Sequence, residues 1–212
     1  MVVRKVVTRS GGHSRGLIPS IKNPTAAAWE SHGEQGFGGF LELSPLVREY
    51  TVQPVREHIV VDGIPTTYIP DVKVVFIDGS KAYFEVKPAV KCLTARVASR
   101  LAAIRQHYQQ KGERFFLVTA EWLEQEPRRS NVDRLMHHRR DFLLGGKERR
   151  RLVRAIVSHQ PRTVRDLENL AGQEKAWLLL GLSLVGVDLE QPLNGSSAIF
   201  LTGGHRHANF FS

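Results

Sequence analysis

Apolar residues recur along this chain at two different periods. Between residues 46 and 87 the pattern is strand-like, and beyond 145 it is helical. Beta-rich runs at 46–52 and 55–61 lead to the turn pair Asp62-Gly63. Runs at 72–77 and 81–87 flank Asp78-Gly79-Ser80, where the Asp-Gly pair tolerates positive φ, so a hairpin is predicted there. Leu93, Val97, Leu101, Ile104 and Tyr108 predict a helix over 93–110, and 114–119 reads as a buried strand after the Lys111-Gly112 break. Ahead of these, Ala26, Trp29, Phe37, Phe40 and Leu41 predict a helix over 25–43, although Gly33, Gly36, Gly38 and Gly39 weaken it. Strands, a crossover helix and another strand make an α/β chain with a mixed sheet.

Gly145-Gly146 is the expected domain boundary. Beyond it come helices at 147–159, 163–171 with Thr163 as N-cap, and 173–184, with Pro161 separating the first two. Strands at 185–189 and 198–201 flank the turn Asn194-Gly195. Three helices and a small hairpin predict a winged-helix-like domain over 145–202, with Trp177, Leu178, Leu179 and Leu180 in its core. Residues 203–212 read as a mobile tail, and its His205 and His207 read as incidental rather than as metal ligands. No internal repeat is visible.

Composition narrows the partner. Lys and Arg number 30 against 21 Asp and Glu in 212 residues, a formal net charge of +9, and the excess is local. Residues 1–22 carry Arg4, Lys5, Arg9, Arg15 and Lys22 with no acid, a basic arm. Residues 128–154 hold ten basic side chains against three acids, among them Arg128, Arg129, Arg139, Arg140, Lys147, Arg149, Arg150 and Arg151. Clustered cations of this kind point to nucleic-acid phosphates, and these thirteen residues are the expected DNA contacts. A solvated helix face and a loose tail are the plainer reading. No run approaches a membrane span and no apolar leader opens the chain, so the expectation is a cytoplasmic protein without membrane contact. The single Cys92 cannot form an internal disulfide and is expected as a small core residue.

The hairpin over 72–87 carries the chemistry. It brings Asp71, after Pro70, near Glu85, and the period of two puts Glu85 and Lys87 on one face. Two carboxylates, the Val86 carbonyl and water supply the oxygen ligands a hard cation such as Mg2+ requires, with Mn2+ as substitute. A lysine beside them contacts phosphate and orients or activates water, so the set fits metal-dependent phosphodiester hydrolysis. The same residues also permit a turn cap at Asp71 and a simple Glu85/Lys87 pair.

Pro-Asp, a hairpin, then Glu-x-Lys is similar to the PD-(D/E)xK nuclease superfamily. Glu30-Ser31-His32-Gly33-Glu34, the run Leu41 to Pro54, Lys87-Pro88-Ala89 and Asn131-Val132-Asp133-Arg134-Leu135 follow in an order that resembles TnsA, the endonuclease subunit of heteromeric cut-and-paste transposases. The resemblance covers residues 1 to about 140. It implies a restriction-endonuclease-like mixed sheet flanked by helices over 23–144, with Glu34 as the acid of the first helix, Asp71 and Glu85 as central metal ligands and Lys87 as the catalytic lysine. Glu30 and Gln53 take supporting places. The chain departs from the family pattern at Gly33, where an apolar residue is usual, and at Val72, where an aromatic is common. The implied activity is cleavage of the 5′ ends of a transposon on double-stranded end DNA, with a DDE-class transposase and an AAA+ ATPase regulator as partners. A stand-alone repair, resolvase or restriction nuclease of the same superfamily, or a non-catalytic DNA-binding adaptor, are the alternatives.

Overall fold

Two Asp-Gly pairs close the hairpins of the first half in a computed structural model that describes residues 16–29, 31–139 and 145–208. Asp62 and Gly63 adopt φ of 51° and 79°, and Gly79 adopts 84°, values that only such residues take up cheaply. The described residues form two units, those within 1–38 and 46–124 and those within 39–45 and 125–212. In chain order the elements of the first are β1 (Gly16–Ile18), β2 (Ala27–Trp29), α1 (His32–Leu43, whose residues from Gly39 belong to the second unit), β3 (Val47–Val52), β4 (Glu57–Val61) and β5 (Ile64–Tyr68). β6 (Val72–Phe76), β7 (Lys81–Lys87), α2 (Ala89–Cys92), α3 (Ala95–Gln110), β8 (Arg114–Thr119) and α4 (Ala120–Leu123) complete it.

The main sheet has the order β3-β6-β7-β8, antiparallel up to β7 and parallel between β7 and β8. The parallel step requires a crossover, which α2 and α3 provide. Central β7 is buried along Ala82–Val86, as a strand covered on both faces must be. Phe84 stacks on Phe116 with ring centres 5.2 Å apart and meets Phe37 of α1 at 5.1 Å. A second cluster joins Ile59, Tyr68 and Tyr83 to Leu101, Ile104 and Tyr108 of α3, with Cys92 packed at its edge.

One expected element changes. The helix predicted from 25 starts only at His32, because Ala27–Trp29 pair with β1 as a strand. Ser31 supplies the N-cap, its Oγ accepting the Glu34 amide at 3.2 Å. β5 and the short β1 were not predicted from the hydrophobic pattern.

The second unit holds α5 (Arg128–His137), α6 (Gly146–His159), α7 (Val164–Ala171), α8 (Gln173–Gly181), β9 (Gly186–Val187) and β10 (Ile199–Phe200). Thr163 caps α7 in a reciprocal box with Asp166 and also bridges Ala198, so the connection between α6 and α7 runs antiparallel beside β10. β9 and β10 pair antiparallel. Trp177, Leu178, Leu179 and Leu180 are buried. Residues 203–208 do not hang free of this unit: Arg206 bridges Asp188, and His205 is buried between the Val187 amide and the Leu180 carbonyl. No helix among the described residues is long and apolar enough to cross a membrane.

Candidate active site

The β6/β7 register pairs Val72 with Phe84, and one step outward it sets Asp71 opposite Glu85. Asp71 is held at two points. Its carbonyl accepts the Gln53 amide at 2.9 Å, at the end of β3, and its Oδ2 accepts the Val86 amide at 2.8 Å. Gln53 makes the first bond from a left-handed backbone at φ 45° and is itself buried. It acts on Asp71 through the main chain.

Glu85 lies beneath, 4% exposed. Its Oε2 accepts the Tyr68 hydroxyl at 2.8 Å, and its Oε1 is ion-paired with Lys87. The sequence reading gives Tyr68 no role. Its partner stands 17 residues away, across two elements. Burial, then the Glu85 charge, push the Tyr68 phenol well above its ordinary value, so it remains a donor.

Glu34 approaches from α1. The Ser31 hydroxyl bonds both its amide and its Oε1, each at 3.2 Å, which fixes the first turn of the helix. Gly33, the departure from the family pattern, has a reason here. A Cβ at that position would stand 3.1 Å from Val86 Cγ1 and 3.5 Å from the Ala120 Cβ, so the helix end lies close on the strand that carries the site. Glu34, Asp71, Val86 and Lys87 line one cleft of about 480 Å3, with Lys91, Pro88 and Ala120 on its walls.

The electrostatics follow from this crowding. Burial, then the charge of Glu85, push the Asp71 carboxyl up to about 8. The Val86 amide and Lys87 oppose the shift, and Glu34 adds to it. Burial works to lower the Lys87 ammonium, but the Glu85 charge and hydrogen bond, with Asp71, outweigh it and hold the group above the usual lysine value.

Among the described residues, no group of three or more His, Cys, Asp and Glu side chains is assembled to hold a metal. Asp71, Glu85 and the Val86 carbonyl nevertheless fit a hard divalent cation: each offers oxygen, and the repulsion between Asp71 and Glu85 is what a cation relieves. Mg2+ commonly takes one or two carboxylates and completes its shell with water and substrate phosphate. Asp71, Glu85 and the Val86 carbonyl could hold it, with Glu34 acting on the site through its charge.

The expected DNA contacts separate. Arg4, Lys5, Arg9, Arg15 and Arg140, and the supporting Glu30, lie outside the described residues. Lys147, Arg149, Arg150 and Arg151 are exposed on α6, and Lys22 is half-buried. Arg128 and Arg139 are corrected by their surroundings. Arg128 is buried and paired with Glu190, while the Arg139 side chain, 4% exposed, bonds Glu42 at 3.1 Å and the Gly181 carbonyl at 2.8 Å. Guanidinium groups committed in this way stay inside the second unit. Arg129 pairs with Asp133 one turn on. His207 bonds Asp188, and both ring nitrogens of His205 are taken by main-chain groups, so neither is a free ligand.

Residues 44–120 match the family described as TnsA-like endonuclease N terminal. The matched segment holds Asp71, Glu85 and Lys87 and begins after Glu34. No curated protein matches the chain.

Proposed function

We propose that this chain, which carries a TnsA-like endonuclease N-terminal domain over residues 44–120, hydrolyses a phosphodiester bond at the 5′ ends of a transposon. In this reading a DDE-class transposase cuts the 3′ ends and joins the strands, and an AAA+ ATPase regulates both. The observation that supports it best is the meeting of Asp71 and Lys87 at one cleft over the buried Glu85, which pairs with Lys87, with Asp71 anchored by the Val86 amide. Such buried like charges are costly to the fold and are a mark of sites built for a ligand.

Asp71, Glu85 and the Val86 carbonyl would hold Mg2+, or Mn2+ in its place, with Glu34 in support. The ion, when bound, neutralises charge developing on the phosphate and lowers the pKa of water. Tyr68 and Lys87 fix the two oxygens of Glu85, so that carboxylate keeps one orientation. The Lys87 ammonium, paired and protonated, donates to a non-bridging phosphate oxygen and stabilises the negative charge of the transition state. Gln53 positions Asp71 through its carbonyl.

The first unit is assigned the restriction-endonuclease-like fold. Within the second, α6, α7 and α8, with the strand-like bridge at Thr163 and the β9/β10 pair, are assigned a winged-helix arrangement. Exposed Lys147, Arg149, Arg150 and Arg151 on α6, with the basic arm, hold the DNA backbone without reading bases. The test uses duplexes carrying the ends of the element that encodes the chain, labelled on either strand. Incubated in Mg2+ with the transposase and ATPase encoded beside it, the chain cuts at the 5′ ends. Full cutting with no partner favours a stand-alone nuclease, and transposition unimpaired by Glu85→Ala favours a non-catalytic adaptor.

A further inference from the structure

We propose that Lys91 and Arg100, on the two helices that follow the site-bearing strand, bind backbone phosphates of duplex DNA beside the bond to be cut. The inference rests on the nuclease reading for the nature of the substrate and adds the cations that bring it in. Lys91 lines the same cleft as Glu34, Asp71 and Lys87. Its helix, α2, begins two residues after β7 and is pinned there by the Ala89 amide, which donates to Glu121 Oε2 at 2.7 Å. The Arg100 guanidinium lies 5.9 Å from the ring centre of Tyr68, whose hydroxyl holds Glu85. Its charge is also felt at Lys87, whose ammonium it disfavours.

Both side chains are exposed, and neither has a carboxylate partner among the described residues. Several other cations are paired: Lys111 with Glu57, Lys175 with Glu148 and Arg139 with Glu42. Two unpaired cations beside an acidic cleft answer an electrostatic need. Glu34 and Asp71 line the cleft and Lys87 is the site-strand cation there, already paired with the buried Glu85, so positive charge at the rim is what draws in a phosphate. α2 buries no side chain, so Lys91 is not retained for packing. Arg and Lys at such positions neutralise phosphates and displace condensed counterions, a contribution that salt reveals.

The test uses the full chain and a fluorescein-labelled random duplex of about 30 bp, with Ca2+ replacing Mg2+ to suppress cutting, titrated at roughly 50 to 200 mM salt. The Lys91→Ala/Arg100→Ala double variant is expected to bind about tenfold more weakly at ~100 mM salt. Its slope of log affinity against log salt should be shallower by about 1.8, near 0.9 per lost phosphate contact. Lys91→Arg/Arg100→Lys restores the slope, and Lys81→Ala, at the opposite end of β7, leaves it unchanged. An unchanged slope in the alanine double variant, or no binding by the intact chain, overturns the inference. Binding with the expected slope change but no cutting of transposon-end DNA in Mg2+ with the transposase and ATPase present overturns the nuclease reading instead, and such cutting with an unchanged slope spares that reading while removing this one.

Discussion

The Tyr68 hydroxyl donates to Glu85 Oε2 at 2.8 Å, while Lys87 occupies the other oxygen of the same carboxylate. Glu85 is therefore oriented by a neutral donor from β5 and a charged one from its own strand. A hydrogen bond to an ionised group contributes about 1.5–3 kcal/mol. Tyr68→Phe is expected to slow single-turnover cleavage by about tenfold, the lower end of that range. Affinity for DNA, measured by anisotropy, should stay the same, since Tyr68 is fully buried.

Asp71 and Glu85 repel each other inside the fold, and function retains that cost. Asp71→Asn keeps an oxygen to accept the Val86 amide but removes the charge. It is expected to abolish cleavage and to raise unfolding free energy by about 1–3 kcal/mol, a fraction of the shift at this site because relaxation screens it. Urea melts check this. Mg2+ should raise the melting temperature of the unaltered chain and leave that of Asp71→Asn unmoved.

Arg139 and Arg150 are both arginines of the basic segment, and their substitutions should separate. Arg139→Met strands Glu42 in the interior without its partner and is expected to cost about 3–5 kcal/mol of stability. Arg150→Ala, on the exposed side of α6, should change stability by less than about 0.5 kcal/mol and weaken DNA binding. Paired melts and anisotropy titrations measure both.

His205 makes the second unit sensitive to acid. Its Nδ1 accepts the Val187 amide at 3.1 Å, so the ring is neutral with its proton on Nε2, which donates to the Leu180 carbonyl at 2.9 Å. Burial holds its pKa down to about 4. The Leu180 carbonyl opposes that shift, and the Arg139 charge reinforces it. The unfolded chain takes up the proton near pH 6.5 and the folded one does not. Stability from this group is therefore complete above about pH 6.5 and is lost as pH falls to about 4, a total of about 3 kcal/mol. Urea melts between those pH values should show the slope, and His205→Leu, less stable at pH 7, should lack that component.

Much of the site was legible because it is local. The Asp78-Gly79 turn and the runs on either side of it dictate the hairpin, and the hairpin brings Asp71 to Glu85 and Lys87. At the first helix the apolar pattern drew the expected start back to 25, whereas Ser31 caps it just before His32. What remained hidden depends on distant partners. Ala27–Trp29 are a strand only because Gly16–Ile18 lie beside them. Arg128 and Arg139 look like surface cations until Glu190 and Glu42, 62 and 97 residues away, are seen to hold them. Tyr68 belongs to the same class, since nothing in the Ile-Pro-Thr-Thr-Tyr run marks a donor to Glu85.

The most direct measurement is single-turnover cleavage of end-labelled transposon DNA in Mg2+, with the transposase and ATPase present, by the unaltered chain and by Glu85→Gln, with equal DNA binding verified beforehand. The amide keeps the size of the side chain and removes the charge that pairs with Lys87 and offers itself to a cation. Loss of cutting by at least about a thousandfold with DNA affinity intact is the predicted result. Cutting by Glu85→Gln at the unaltered rate would contradict the account.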